Sequence, residues 1–183
     1  MNKQEKIFII GSRNIDKYEI AKNIADLNDS FNIAKTFTTD ISMKDKITDS
    51  FKYYLSPKEV EMSFKNNALM YVNTDRIISV GVTLDDMYNE DIFVLDFYDF
   101  NNMSNKIFNE ISPIIIWIDS KDKNYDYYKD DVNESKYSFE KININNLKVM
   151  YFVNETPIEI AKIVLDYYNG DDIVREQLLE ENS

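Results

Sequence analysis

The sequence predicts an α/β fold, a parallel sheet with helices on both faces, on three observations. Four short apolar runs, KIFII (6–10), IFVLDF (92–97), IIIWI (114–118) and LKVMYFV (147–153), are continuous rather than alternating. That is the pattern of strands buried on both faces, as in a sheet covered by helices. Stripes at helical spacing lie between the runs, and two helix starts carry sharp caps, so strands and helices alternate along the chain.

The elements follow in order. After the first run come Gly11, a polar loop and a stripe of Ile20, Ala21, Ile24 and Ala25. Val60, Phe64 and Ala68 form a second stripe, Met103, Ile107 and Ile111 a third, and Ala161, Leu165 and Tyr168 a fourth. Ser56-Pro57-Lys58-Glu59 and Thr156-Pro157-Ile158-Glu159 each join an N-cap hydroxyl, a proline at N1 and a glutamate at N3. Asn169-Gly170 reads as a helix stop, and Ile173, Val174 and Leu178 as a short terminal helix. Trp117, inside its apolar run, is expected in the core. Residues 119–146 are polar, acidic and rich in tyrosine, the candidate for a mobile surface segment. No linker or internal repeat divides the 183 residues, so a single domain is expected.

Composition excludes several chemistries. Without histidine or cysteine there is no serine–histidine hydrolysis, no disulfide and no zinc site of the usual type. The net charge of −12 disfavours direct binding to nucleic acid. An acidic mimic of DNA would need a regular acidic stripe, whereas these charges are spread along the chain. No apolar run approaches the ~20 residues that span a bilayer, and no secretory signal is evident, so a cytoplasmic protein without membrane contact is expected. The abundance of Asn, Ile, Lys, Asp and Tyr resembles the coding of an AT-rich genome, such as that of a phage or a low-GC bacterium, which extends the expected location to a phage-infected host cell.

The junction GSRNIDKY has the layout of a phosphate-binding loop. In the pattern GxxxxGK[ST], glycines let backbone N–H groups cradle phosphates, the lysine reaches the β/γ oxygens and the hydroxyl ligates magnesium. Gly11 and Lys17 stand at the required spacing, with Ser12, Arg13 and Asn14 between them as backbone donors. Asp16 takes the second glycine position, where it adds negative charge and tolerates a positive φ poorly. Tyr18 takes the hydroxyl position, with its oxygen too far out for magnesium. The plain alternative is a strand–turn–helix connection with a chance lysine.

Further on, the chain resembles a guanylate kinase. SPKEVEMSFKNNALMYVNTDRIISVGVT (56–83) is similar to the family segment that runs from a Ser-started helix to a Tyr-Gly-Thr. DIFVLDFYDFNN is similar to its central strand, LKVMYFVNETPIEIAKIVLDYY to its last strand and helix, and TFTTD (36–40) to its Thr-Thr-Arg segment. The resemblance implies a three-layer P-loop kinase fold with five parallel strands. It implies a core at 1–36 and 91–183, a substrate-binding insertion at about 37–90 and a lid at about 119–146. It also implies ATP and Mg2+ as cofactors if the protein is active.

The family's chemistry maps poorly onto this chain. The arginine holding the acceptor phosphate falls on Asp40, and the guanine-reading glutamate on Tyr71. The phosphate-binding tyrosine before the glycine falls on Val80 and the hydroxyl after it on Val82, leaving Gly81 and Thr83. Tyr53 and Tyr54 lie nearest a second such tyrosine. Asp96 and Asp99 follow the central strand, where a magnesium-orienting carboxylate would sit, and Phe97, Tyr98 and Phe100 could line a base pocket. The arginines of the chain are Arg13, Arg76 and Arg175, none in the lid segment, which offers lysines instead. A lysine gives charge but no bidentate fork on a transferring phosphoryl group. Asp122, Asn124 and Asp126 begin like a calcium loop, but Tyr127 and Asn133 stand at positions that need glycine and glutamate.

Two functions follow as expectations. One is a catalytically impaired guanylate-kinase-like protein that acts by binding a partner protein, for which the tyrosines of the lid segment are suited. The other is an active (deoxy)nucleoside monophosphate kinase with altered base specificity, using Lys17 on the donor phosphates.

Overall fold

A computed structural model of the chain describes residues 4–11, 16–44, 51–75, 78–96, 100, 110–119, 148–153 and 155–170. Its centre is a parallel sheet. Strand β1 (Gln4–Gly11) leads into helix α1 (Lys17–Leu27), and β2 (Thr36–Thr38), β3 (Lys52–Tyr54), α2 (Pro57–Lys65), β4 (Leu69–Asp75), β5 (Ile78–Thr83) and α3 (Leu84–Asn89) follow. Strands β6 (Ile92–Asp96), β7 (Ile111–Asp119) and β8 (Lys148–Val153) and helix α4 (Pro157–Tyr168) complete the described elements.

The apolar runs become β6-β1-β7-β8, four strands, all parallel. Beyond β6 a single parallel bridge joins Ile33 to Ile92. Alternate residues of the central strands feed opposite faces, as strand geometry requires. Ile7, Ile9, Ile114, Ile116 and Ile118 pack with Ile20, Ala21 and Ile24 of α1 and Ile160, Ala161 and Val164 of α4. Phe8, Ile10, Phe93, Ile115 and Trp117 pack on the other side with Met70, Val82, Met87 and Phe100. Phe100 therefore belongs to the core, its ring edge-on to Phe8 at 5.7 Å.

The second face is thus covered by β4, β5 and α3. They belong with a second, mixed sheet, β3-β2-β5-β4. It is stitched antiparallel between β2 and β5 and between β4 and β5, with β2 and β3 parallel.

Both expected capping boxes form. Ser56 and Thr156 accept from the N–H groups of Glu59 and Glu159, and each glutamate accepts in return from the N–H of its cap residue. Gly170 closes α4 at φ 88°, a conformation glycine adopts without penalty. A further box not singled out in the sequence, Thr83 with Asp86, opens α3.

The third expected stripe is corrected at Ile111. Ile111 is the first residue of β7, while Met103 and Ile107 lie outside the described residues. In the second stripe only Val60 is buried within α2; Phe64 is 66% exposed and Ala68 lies beyond the helix. The terminal helix at Ile173–Leu178 and the lid segment from 120 to 146 lie outside the described residues.

One buried charge ties the far end of the sheet. Lys6 is fully buried and donates to the carbonyls of Glu90 and Tyr88, with Asp91 at 3.8 Å. Burial pulls its pKa below the ordinary lysine value, against Asp91 and Glu90, which favour the charged form. No helix among the described residues is long and apolar enough to cross a membrane.

Candidate functional site

The carboxyl end of β1 lies between its two neighbours, with Gly11 in register with Asp96 of β6 and Ile118 of β7. A Cβ on Gly11 would meet the Ile118 carbonyl oxygen at 2.8 Å. The close approach of two backbones therefore requires glycine here, whatever the loop binds.

The chain re-enters the described region at Asp16, the N-cap of α1, with φ −75° and ψ 75°. No positive φ arises, so the backbone penalty expected for aspartate at this position is absent. Its carboxylate accepts from the Glu19 N–H at 3.1 Å. It thus occupies one of the N–H groups that a helix N-terminus offers to an anion.

Lys17, next in sequence, is buried and donates from Nζ to the Gly11 carbonyl at 3.0 Å, folding back over the strand end. Tyr18 turns its ring onto Phe51, with centroids 4.5 Å apart, and Lys22 Nζ lies 5.1 Å over the same Phe51 ring. Ser12, Arg13 and Asn14 lie outside the described residues.

The threonines and Asp40 at the end of β2 are held in local bonds. Thr38 Oγ1 accepts from the Asp40 N–H at 3.2 Å, and Thr39 Oγ1 from the Ser79 N–H at 2.7 Å. Asp40 caps the single 3-10 turn at Ile41–Met43 through the Ser42 N–H at 2.9 Å. An acceptor-only carboxylate thus stands at the position that the family resemblance gives to an arginine.

Tyr53 and Thr83 converge on one carboxylate. The Tyr53 hydroxyl donates to Asp86 Oδ2 at 3.0 Å, and the Thr83 hydroxyl donates to the same oxygen at 2.6 Å. Burial, then the charge of Asp86, push the Tyr53 pKa well above the ordinary phenol value. Tyr54 is half-buried in β3 beside it. Gly81 is buried in β5, in register with Phe37 of β2 and Val72 of β4, and Tyr71 pairs with Val82 across the β4–β5 hairpin. Asp96 ends β6, and Asp99 lies outside the described residues.

The structure therefore brings Gly11, Asp16, Lys17 and Tyr18 together at one strand end, with Asp96 in register beside Gly11. It gathers Tyr53 and Thr83 separately, around Asp86. Among the described residues no cluster of acidic side chains is placed to hold a metal ion. Sequence reasoning missed Phe51 and Asp86. Asp86 had a legible signal, the Thr-x-x-Asp spacing of a capping box. Phe51, whose ring partners Tyr18 and Lys22 lie some thirty residues earlier, had none.

No protein-family model matches the sequence, and no curated protein matches it. Its fold is similar to that of a guanylate kinase from Anaplasma phagocytophilum, with a TM-score of 0.62 and 11% identity over 99% of this chain and 96% of that one. At that identity the likeness concerns the fold.

Proposed function

We propose that the chain is a guanylate-kinase-like protein that has lost phosphoryl transfer and acts by binding a partner protein. One observation carries this reading. At the start of α1, Asp16, Lys17 and Tyr18 spend their polar or aromatic groups on the chain itself, on Glu19, Gly11 and Phe51. As they stand they do not fit a magnesium nucleotide. A carboxylate meets the phosphates, and a packed ring replaces the hydroxyl that would bind the metal. Asp40 extends the same change to the acceptor side. Guanylate-kinase-like domains of scaffold proteins offer an analogy for a fold that keeps protein binding without transfer. In the same reading, the bridge of Ile33 to Ile92 is what remains of a fifth strand, and α3 and the second sheet supply the third layer.

The test is a coupled assay of ATP with each nucleoside and deoxynucleoside monophosphate in magnesium, beside a thermal-shift screen of the same ligands. The expected result is no turnover and no shift. A tight ligand would raise the melting point in proportion to RT ln(1 + [L]/Kd). Turnover with any monophosphate, abolished in Lys17→Ala, would overturn the proposal.

A second reading, an active (deoxy)nucleoside monophosphate kinase of altered base specificity, draws on the position of Lys17. Its ammonium stands over the end of β1, where a donor phosphate would lie in such a fold. In that reading Lys17 exchanges the Gly11 carbonyl for phosphate oxygens, and Tyr71 meets a base other than guanine.

A further inference from the structure

We infer that Phe51 is a latch that fastens the β2–β3 edge of the second sheet to the first turns of α1 and resists the parting of that edge from the helix. Its backbone belongs to the second sheet. The Phe51 carbonyl accepts from the Thr36 N–H at 3.0 Å and from Thr36 Oγ1 at 3.4 Å, and β3 follows immediately. Its ring contacts α1, tilted by 31° against Tyr18 with centroids 4.5 Å apart and lying under the Lys22 ammonium at 5.1 Å. Tyr18 in turn packs against the apolar cluster beneath α1. A displacement of β2 and β3 away from α1 must therefore break an aromatic contact and a cation–π contact together, or pull Phe51 away from Thr36.

Tyr18, on which the latch closes, directly follows Lys17 in the first turn of α1.

Hydrogen exchange read by mass spectrometry tests this without a ligand, because local opening reports on the contacts that oppose it. In Phe51→Ala, amides at 36–39, 51–54 and 17–22 should exchange about tenfold faster, as expected on losing an aromatic pair worth roughly a factor of ten. Amides of α4 and of the middle of β7 should keep their wild-type rates. Lys22 is exposed, so Lys22→Met keeps the fold intact and should accelerate the same segments by about two- to fivefold, the scale of an exposed cation–π contact. Unchanged protection of those segments in Lys22→Met, or in a folded Phe51→Ala, would overturn the inference. So would an acceleration spread evenly over α4 and β7.

Discussion

Replacing Asp16 by glycine and Tyr18 by serine would restore the two missing elements of a phosphate loop, and the cost and the gain can both be worked out. Asp16 gives α1 one capping bond, to the Glu19 N–H at 3.1 Å, and a glycine at an N-cap loses only a few tenths of a kcal/mol. Loss of the Tyr18 ring removes an aromatic pair worth about 0.5–1.5 kcal/mol beyond its area, and some burial with it. The variant should therefore stay folded, with a melting point lower by roughly 4–10 °C for about 2–3 kcal/mol in a chain of this size. On the ligand side, a carboxylate about 4 Å from a phosphate repels it by ~4 kcal/mol at an effective dielectric near 20, and by ~1 kcal/mol in water. Asp16 is exposed, so the lower part of that range applies, roughly ten- to a hundredfold in affinity. Titration calorimetry with magnesium ATP should give no heat for the wild type and measurable binding for the double variant. Phosphoryl transfer should stay absent, since Asp40 is unchanged. If the variant keeps its circular dichroism spectrum and still takes up no ATP, the loop is misshapen and charge was never the obstacle.

Other perturbations test the surrounding structure. Gly11→Ala drives a Cβ to 2.8 Å from the Ile118 carbonyl and should cost about 1–3 kcal/mol in urea unfolding with no nucleotide present; an unaltered midpoint would show that β1 and β7 part easily. Tyr53 has its pKa raised by burial and by Asp86. Its contribution is therefore full below the unfolded phenol value of 10.0 and lost as pH rises above it, and Tyr53→Phe should reduce that alkaline loss. Glu59 and Glu159 have pKa values lowered by bonds to Ser56 and Thr156, so their stabilisation holds above the ordinary value of 4.5 and fades as pH falls below it. The pair Glu59→Gln and Glu159→Gln should show a shallower acid-side decline in melting point, and an identical decline would remove the boxes from the account.

Much of the first sheet was legible because its signals are local. A strand buried on both faces must be apolar at successive positions, and 6–10, 92–97, 114–118 and 147–153 obey that rule. A capping box closes within four residues, so Ser56 and Thr156 declare themselves. The second sheet was far less legible. Its strands β2 and β3 are three residues each, and Thr36, Thr38 and Thr39 are buried there through hydrogen bonds rather than apolar character. The third helical stripe is corrected at Ile111, because periodicity cannot separate the end of a helical stripe from the apolar start of a buried strand. At the site, residue types identified the position of the loop but not the orientation of its side chains. That Lys17 bonds Gly11, and that Tyr18 leans on Phe51, depends on contacts the local sequence does not encode.

On the proposed reading, those contacts explain how such a fold could outlast its chemistry. The two apolar clusters that hold the sheet draw on strand and helix interiors, and of the described loop residues Gly11, Asp16, Lys17 and Tyr18 only the half-buried Tyr18 packs against them. Substitutions at the loop therefore leave the main source of stability in place. A working phosphate site, by contrast, presents donors and charges that its own chain does not satisfy, and the ligand completes them at the expense of stability in the empty protein. Among the described residues no buried side-chain nitrogen or oxygen lacks a partner. A nucleotide would have to displace the Lys17–Gly11 bond and the Asp16 cap before gaining anything, and each exchange returns one bond for one broken. Affinity would then rest on whatever the second sheet adds. There Asp40 and Asp86 are acceptor-only carboxylates that already accept from Ser42, Tyr53 and Thr83, which does not favour a phosphate.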